Sequence, residues 1–280
     1  MKYLMMLILL TSASLQAKHK FIAGDSTTRE VFIIDQHGKK TWSYLAPYKT
    51  QDVSILKNGN ILLCTNNKVL EITMDKKIVW EFNRKGEMHS AQRLDNGNTL
   101  VGHTSEGTVL EVNSGGNVVR SFKTTFDTKV AHVNFRRVRQ AASGLVYVAH
   151  HGDGVCRIYS KDGKLVSSVA HYSRRCFSAT PLKDGKILLT GKDKVKLVDQ
   201  EGKVYWEINT SEIKGHKIAS LTSAKMLANG NILVTNWMGH EKKNKRNEVS
   251  IIEITPNKEV VWSYKDNKNK CLIAIDIFEE

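Results

Sequence analysis

Hydrophobic and polar residues alternate along most of the chain in short segments, separated by turns that contain Asn-Gly, Asp-Gly or Ser-Gly. Such alternation predicts half-buried β-strands, and glycine in these turns supplies the positive φ that a tight hairpin requires. A unit of turn and apolar strand occurs five times, at residues 58–63, 96–101, 143–148, 184–189 and 229–234. The turn glycines are 38, 47, 41 and 45 residues apart. This spacing is typical of the four-stranded blades of a β-propeller.

Each unit divides into four predicted strands, named A to D, which in the second unit are residues 52–56, 61–65, 69–72 and 78–82. Strand D carries Trp at one equivalent position in most of the units. That position holds Trp42, Trp80, Trp206 and Trp262 in four units, and Arg120 and Ser167 in two others. We expect the four Trp side chains to pack between neighbouring blades rather than to stack on a ligand.

Six D strands but only five A-to-B turns are present in the sequence. The missing A strand is predicted at residues 271–277, which would pair with residues 20–44 to complete the first blade. Such closure removes open sheet edges. The predicted fold is therefore all-β: a single domain at residues 18–280, built as a six-bladed propeller of four-stranded antiparallel blades. We expect it to be a monomer.

The N-terminus has the pattern of a secretory signal peptide at residues 1–17. Lys2 precedes an apolar run over residues 4–10, and residues 15–17 form a cleavage site before Lys18. The alternative is a buried N-terminal strand. The run is too short to span a membrane as a helix, and no later segment is long enough. The pattern predicts export to the periplasm or to the cell surface.

The chain carries a formal net charge of +14. This favours an anionic small molecule, glycan or protein partner, although a basic pI also serves solubility alone. Nucleic acid is disfavoured because no aromatic platform is interleaved with the basic loops. The cysteines, Cys64, Cys156, Cys176 and Cys271, show no close spacing and are expected to be buried thiols. No cofactor is expected.

Propeller geometry predicts where a site would form. Strand A lines the central channel, and the D-to-A and B-to-C connections open on one face, here called the top face. Aligning the units puts Asp52, His89, His132, Cys176 and Ser220 at the start of strand A. It puts Thr65, His103, His150, Gly191 and Asn236 at the end of strand B. We therefore expect four of the ten histidines to meet at the top face near the axis.

An insertion at residues 237–246 extends over the same face, and Arg and Lys residues occupy several D-to-A loops. His and Arg side chains around a concave mouth favour an anion pocket. The candidate ligand-binding residues are His89, His103, His132, Asn134, Arg137, His150, His151, Arg175, Asn236 and Trp237. Ordinary hydrogen bonding around a water-filled channel is an equally weighted alternative. A metal site is not expected, because no carboxylate or closely spaced His pair joins the group.

The blade sequences resemble bacterial propellers with pyrroloquinoline-quinone-type repeats, through elements of the form LxNGNILV and GKVxW that recur over nearly all of residues 18–280. Proteins of this kind are often described as surface-layer-type propellers. The resemblance implies the architecture. The metal-ligand carboxylates, vicinal cysteines and stacking Trp of the quinone-dependent dehydrogenases are not recognisable in this sequence.

A shorter stretch, residues 88–98, is similar to the His-containing strand of arylsulfotransferase-like propellers. This similarity implies that His89 would be the sulfuryl acceptor. His132-Val133-Asn134 is similar to that family's His-x-Asn element, which helps to bind the transferred group. The Ser-Arg pair of the family is replaced by His150-His151, and the two elements follow a different order along the chain.

Three hypotheses follow for function. The first is a non-enzymatic binding module that recognises an anionic ligand or partner at the centre of the top face. The second is a transferase or lyase acting on a sulfated or acidic substrate, with His89 as nucleophile or general base and His132, His150 and Arg137 stabilising charge. The third is a structural role at the cell surface.

Overall fold

The computed structural model describes residues 19–171 and 175–278, so the leader predicted at residues 1–17 lies outside the described residues. In the described part of the chain, 24 strands form six four-stranded antiparallel sheets, with helix limited to short 3-10 turns. The predicted six-bladed propeller is confirmed. No helix among the described residues is long and apolar enough to cross a membrane.

The four strands of each blade lie side by side in the order A to D. Blade 1 contains β24 (Leu272–Ile277), β1 (Phe21–Asp25), β2 (Glu30–Ile34) and β3 (Lys40–Leu45). Blade 2 contains β4 (Thr50–Ile55), β5 (Ile61–Thr65), β6 (Lys68–Ile72) and β7 (Ile78–Asn83). Blade 3 contains β8 (Met88–Arg93), β9 (Thr99–His103), β10 (Thr108–Val112) and β11 (Val118–Lys123).

Blade 4 contains β12 (Val138–Gln140), β13 (Val146–His150), β14 (Val155–Tyr159) and β15 (Leu165–Ala170). Blade 5 contains β16 (Cys176–Pro181), β17 (Ile187–Gly191), β18 (Lys194–Val198) and β19 (Val204–Asn209). Blade 6 contains β20 (Leu221–Met226), β21 (Ile232–Asn236), β22 (Ile251–Ile254) and β23 (Val260–Tyr264). The 3-10 turns are Thr104–Glu106, Ala131–Val133, Thr210–Glu212 and Lys243–Lys245.

The Asn-Gly-Asn turns form because their side chains are held by a glutamate on strand C. In blade 2, Gly59 has a φ of +82°, and both Asn58 and Asn60 donate through Nδ2 to Glu71 Oε1, at 3.1 and 2.7 Å. Asn96 and Asn98 bind Glu111 in the same way in blade 3. These bonds tie the A-to-B turn to the third strand of its own blade.

The hydrophobic core is divided into six clusters, and each lies between two adjacent blades. The expected role of the strand-D position is confirmed. Trp42 Nε1 donates to Met74 O of the next blade at 2.7 Å, and Trp206 Nε1 donates to Pro256 O at 2.8 Å. Ser167 makes the equivalent bond to Gln200 O at 2.9 Å. Each blade therefore needs its neighbour to complete its core.

The C-terminal strand closes the ring, as predicted. β24 pairs antiparallel with β1, from Phe21 opposite Ile277 to Asp25 opposite Leu272. Cys271 N donates to Asp25 Oδ2 at 2.7 Å, which holds the start of the strand.

The structure also tests the predictions made for the cysteines and for His132. All four cysteines are buried and free, as expected. Burial raises the pKa of Cys156 to about 12. The prediction that His132 begins strand A of blade 4 is wrong, because His132 lies in the 3-10 turn Ala131–Val133 and β12 begins six residues later, at Val138.

Candidate functional site

A β-bulge near the start of strand A recurs around the ring and forms the throat of the channel at the top face. In blade 3, Met88 pairs with His103 and Ser90 pairs with Gly102, so His89 between them has no partner in the ladder. In blade 4, the backbone groups of Arg136 and Arg137 both bond to Ala149. A bulge re-aims side chains next to the strand. It places one side chain per blade in the throat: Gln51, His89, Arg136, Phe177, Thr222 and Ile273.

Arg136 fills the throat. Its Nη1 lies 3.0 Å from His89 Nδ1, and its Nη2 lies 3.1 Å from His132 Nε2. The void left between the throat side chains is only about 10 Å³. Burial lowers the pKa of Arg136 to about 10; Glu87 opposes this shift and Arg175 adds to it. Arg136 therefore remains a cation at neutral pH and closes the throat from the top.

His132 and Glu87 form a close pair above the throat. His132 Nδ1 lies 2.5 Å from Glu87 Oε2, and its side chain is 54% exposed. Because Nε2 faces the Arg136 guanidinium, which can only donate, His132 Nε2 accepts and Nδ1–H donates to Glu87. The His89 ring lies edge-on to His132, with centroids 5.4 Å apart. This geometry describes a neutral imidazole oriented by a carboxylate.

His89 is enclosed, unlike His132. It is 2% exposed, and burial, then Arg136 and His132, hold its pKa well below the usual value. Its Nδ1 also lies 3.4 Å from Phe135 O. His89 is therefore a neutral group packed beneath Arg136.

Glu87, His89 and His132 could together hold a metal ion, because one ligand atom from each lies within 4.8 Å of the others. The carboxylate that the sequence analysis did not find is Glu87. Two His nitrogens and one carboxylate oxygen suit zinc or a similar ion. The same atoms already bind each other and Arg136, so a metal ion would require the guanidinium to move away.

A second group of side chains continues from the throat across the top face. Arg175 Nη1 lies 3.2 Å from His240 Nε2. The His240 ring lies edge-on to Trp237 at 4.7 Å. His151 packs on Phe177 at 4.4 Å between centroids, and its buried Nδ1 has no hydrogen-bond partner among the residues that the structure describes.

The pKa of His151 is strongly affected by burial and by the positive charges around it. Its pKa is lowered to about 2, first by burial and then by the positive charges of Arg136 and Arg175, with smaller effects from His132 and His240. Contacts join these side chains: Arg175 to His240, His240 to Trp237, and Trp237 to Phe177, on which His151 packs. Glu87 contacts the group through His132.

Several other residues that were predicted to contact a ligand instead make hydrogen bonds inside the protein. His103 Nε2 donates to Lys85 O at 2.9 Å, and His150 Nδ1 donates to Asn134 O at 3.1 Å. Burial lowers the pKa of His150 to about 3. Asn134 donates to Thr104 O, and Asn236 binds Ala219 N, Lys217 O and Val249 O. These groups hold the top loops in place.

Arg137 lies on the axis one level below the throat. It is 5% exposed and is paired with Asp52, while its Nη2 donates to Ile273 O at 3.2 Å. Arg139 binds the same carboxylate, with Nη1 2.9 Å from Asp52 Oδ2. The axis is thus closed by charged side chains below the throat as well.

Sequence reasoning did not select Arg136, Glu87, Phe177 or His240 as site residues. The sequence could have identified two of them by their distance from the turn glycine. Arg136 and Phe177 lie eight residues before the turn glycine of their units, as His89 does. Glu87 and His240 lie in connections, whose course the strand pattern does not predict.

Comparison with known proteins identifies no family for the chain: no protein-family model and no curated protein matches it. Among solved structures, a protein of unknown function from Bacteroides caccae matches with a TM-score of 0.82 and 25% identity, over 94% of this chain and 100% of that one. Virginiamycin B lyase from Staphylococcus aureus matches with a TM-score of 0.62 and 13% identity, over 91% and 87% of the two chains. A streptogramin B lyase matches with a TM-score of 0.63 and 11% identity, over 92% and 86%. The chain is similar to these proteins in its fold.

Proposed function

We propose that the top face binds an anionic ligand, either a small molecule or the acidic group of a glycan or protein partner. The negative group would lie between Arg136 and Arg175, and the less polar part would rest on Trp237. The observation that carries this proposal is the run of contacts from Arg136 and Phe177 in the throat, through Trp237 and His240, to Arg175. His151 packs on Phe177 within this run, and its buried Nδ1 has no partner among the described residues. An exported location, which residues 1–17 predict, would give the site access to ligands outside the cytoplasm.

The charges near the site favour an anion over a neutral ligand. The imidazoles of His89 and His151 are neutral at pH 7, so Arg136 and Arg175 supply the positive charge. Hydrogen bonds from a guanidinium to an anion are worth about 1.5–3 kcal/mol each. Glu87 would repel an anion, which its hydrogen bond to His132 offsets only in part.

Binding is tested by thermal shift and calorimetry with sulfate, 4-nitrophenyl sulfate and phenol, which is neutral at pH 7. We expect a saturable rise in melting temperature with the aryl sulfate and none with the phenol. Arg136→Gln and Arg175→Gln should each weaken binding by roughly 10- to 100-fold, since each removes one charged contact.

Arg84→Gln is the matched control, because Arg84 also lies on the top face but is paired with Glu106 at 2.9 Å. It should leave the affinity unchanged, whereas Glu87→Gln should increase it. Equal losses of affinity in Arg84→Gln and Arg136→Gln would indicate a general effect of surface charge. That result would contradict a binding site at the throat.

The His132–Glu87 pair favours a second candidate function, in which His132 Nε2 removes a proton from an acidic substrate. His132 is half exposed and oriented by a carboxylate, the arrangement of a general base. His89, which the sequence analysis put in this role, is enclosed and held beneath Arg136. An anionic substrate would draw Arg136 away from His132 Nε2 and free its lone pair.

Turnover is tested with 4-nitrophenyl sulfate plus a phenol acceptor, and with quinupristin, which is bound in a structure of a lyase with this fold. If the wild type has activity, His132→Ala should lower kcat by roughly 100-fold or more. His89→Asn, with its fold checked by circular dichroism, should retain most of it. Activity lost in His89→Asn and kept in His132→Ala would reverse the assignment, and no turnover in the wild type would leave binding as the function.

A further inference from the structure

A cavity of about 840 Å³ opens on the bottom face, opposite the site described above. It is lined by the ends of the A strands and by the A-to-B turns. The closed throat and the Arg137–Asp52 pair separate it from the top face. Ligand pockets commonly have volumes of about 300–1,000 Å³.

One polar side chain from each blade surrounds the axis at the inner end of this cavity. Each stands five residues before the turn glycine of its blade, and Asp276 takes the equivalent place on β24. These residues are Ser54, Gln92, Arg139, Thr180, Lys225 and Asp276. The ring offers both hydrogen-bond donors and acceptors, and Gln140 Oε1 beside it is buried without a partner in the described part of the chain.

The charges on the axis do not balance. Asp52 is shared by Arg137 and Arg139, and Asp276 Oδ1 binds Lys225 Nζ at 2.7 Å. Three cations therefore face two carboxylates, and one positive charge has no counterpart in this network. Buried charges in proteins are normally paired, because an uncompensated one is costly.

Arg139 and Lys225 line the cavity wall, whereas Arg137 is enclosed between Asp52 and Ile273 O. Arg139 also donates to Ser90 Oγ and Val138 O, which fix its guanidinium beside Asp52. Its side chain is 15% exposed, and that of Lys225 is 30% exposed. An anion entering from the bottom face would meet these two groups together.

We propose that the bottom cavity binds a hydroxylated carboxylate of the sugar-acid class, with its carboxylate against Arg139 and Lys225. The hydroxyl groups would bond to Ser54, Gln92, Thr180 and Gln140. The aliphatic wall, which includes Leu94 and Leu182, would contact the ring carbons. This second site is separated from the one on the top face by the closed throat and the Arg137–Asp52 pair.

Isothermal titration with D-glucuronate tests the proposal, with D-glucose and acetate as controls that lack the charge or the hydroxyls. We expect glucuronate to bind at least 10-fold more tightly than either. Equal affinities for the three compounds, or binding of inorganic phosphate without glucuronate, would overturn the assignment of the ligand class.

Arg139→Met separates this site from the top face. The variant should lose at least 10-fold in glucuronate affinity, whereas Arg136→Met should keep wild-type affinity. Without ligand, Arg139→Met should melt at or above the wild-type temperature. The charges on the axis then balance, because Arg137 pairs with Asp52 and Lys225 pairs with Asp276. A much less stable Arg139→Met, or one that binds glucuronate normally, would contradict the proposal.

Discussion

A chain that ends at Lys270 is expected to lose the cooperative fold of the propeller at room temperature. The deletion removes β24, whose Leu272, Ile273 and Ile275 are buried between blades 1, 2 and 6. Burying a large aliphatic side chain contributes about 1.5–3 kcal/mol, so the three contribute about 5–9 kcal/mol. A whole domain is typically stable by only about 5–15 kcal/mol.

The ladder bonds between β24 and β1 are lost as well, and blade 1 is left with an open inner edge that faces the channel. Urea unfolding followed by circular dichroism measures the effect. A chain that ends at Phe278 is the control, because it keeps every residue of β24 and should unfold at the wild-type midpoint. If the chain ending at Lys270 also unfolded at that midpoint, closure by β24 would not stabilise the ring.

The blades could be predicted from the sequence because their determinants are local. Asn58-Gly59-Asn60 defines a turn wherever it follows an apolar strand, and Trp42 marks the outer strand by its position alone. Closure required only counting, since six D strands and five A-to-B turns leave one strand to be supplied by the C-terminus. Each of these inferences depends on order along the chain and not on how loops fold.

The site could be predicted only in part, because it depends on register and on the course of the loops. The bulge that turns His89 and Arg136 into the throat has no sequence motif of its own, and becomes visible only when the units are aligned on the turn glycine. The connection before β12 is long, so His132 lies in a 3-10 turn and not at the predicted start of a strand. Its 3-10 turn nevertheless brings His132 against Glu87 and Arg136.

The two faces of the ring differ in chemistry because the axis is closed between them. Arg136 blocks the throat, and Asp52 binds Arg137 and Arg139 directly below it. A ligand on one face therefore cannot reach the other through the channel. Both sites nevertheless depend on Asp52, because it holds the side chains that separate them.

Asp52→Asn is expected to destabilise the protein by about 3–5 kcal/mol, the usual effect of removing one partner from a buried ion pair. Asp52 is 1% exposed. Its carboxylate also accepts hydrogen bonds from Ser90 Oγ and Ala91 N, both at 3.2 Å. Asparagine keeps the shape but leaves two buried guanidinium groups without their shared anion.

Urea unfolding at pH 7 measures this loss, and Asp95→Asn provides the control. Asp95 pairs with Lys57 at 2.8 Å, but its side chain is 88% exposed, so that substitution should leave the unfolding midpoint close to that of the wild type. The double variant Asp52→Asn/Arg139→Met should recover part of the loss, because it removes one of the two unpaired cations. Equal stability of Asp52→Asn and Asp95→Asn would mean that water or bound anions, rather than Asp52, neutralise the arginines on the axis.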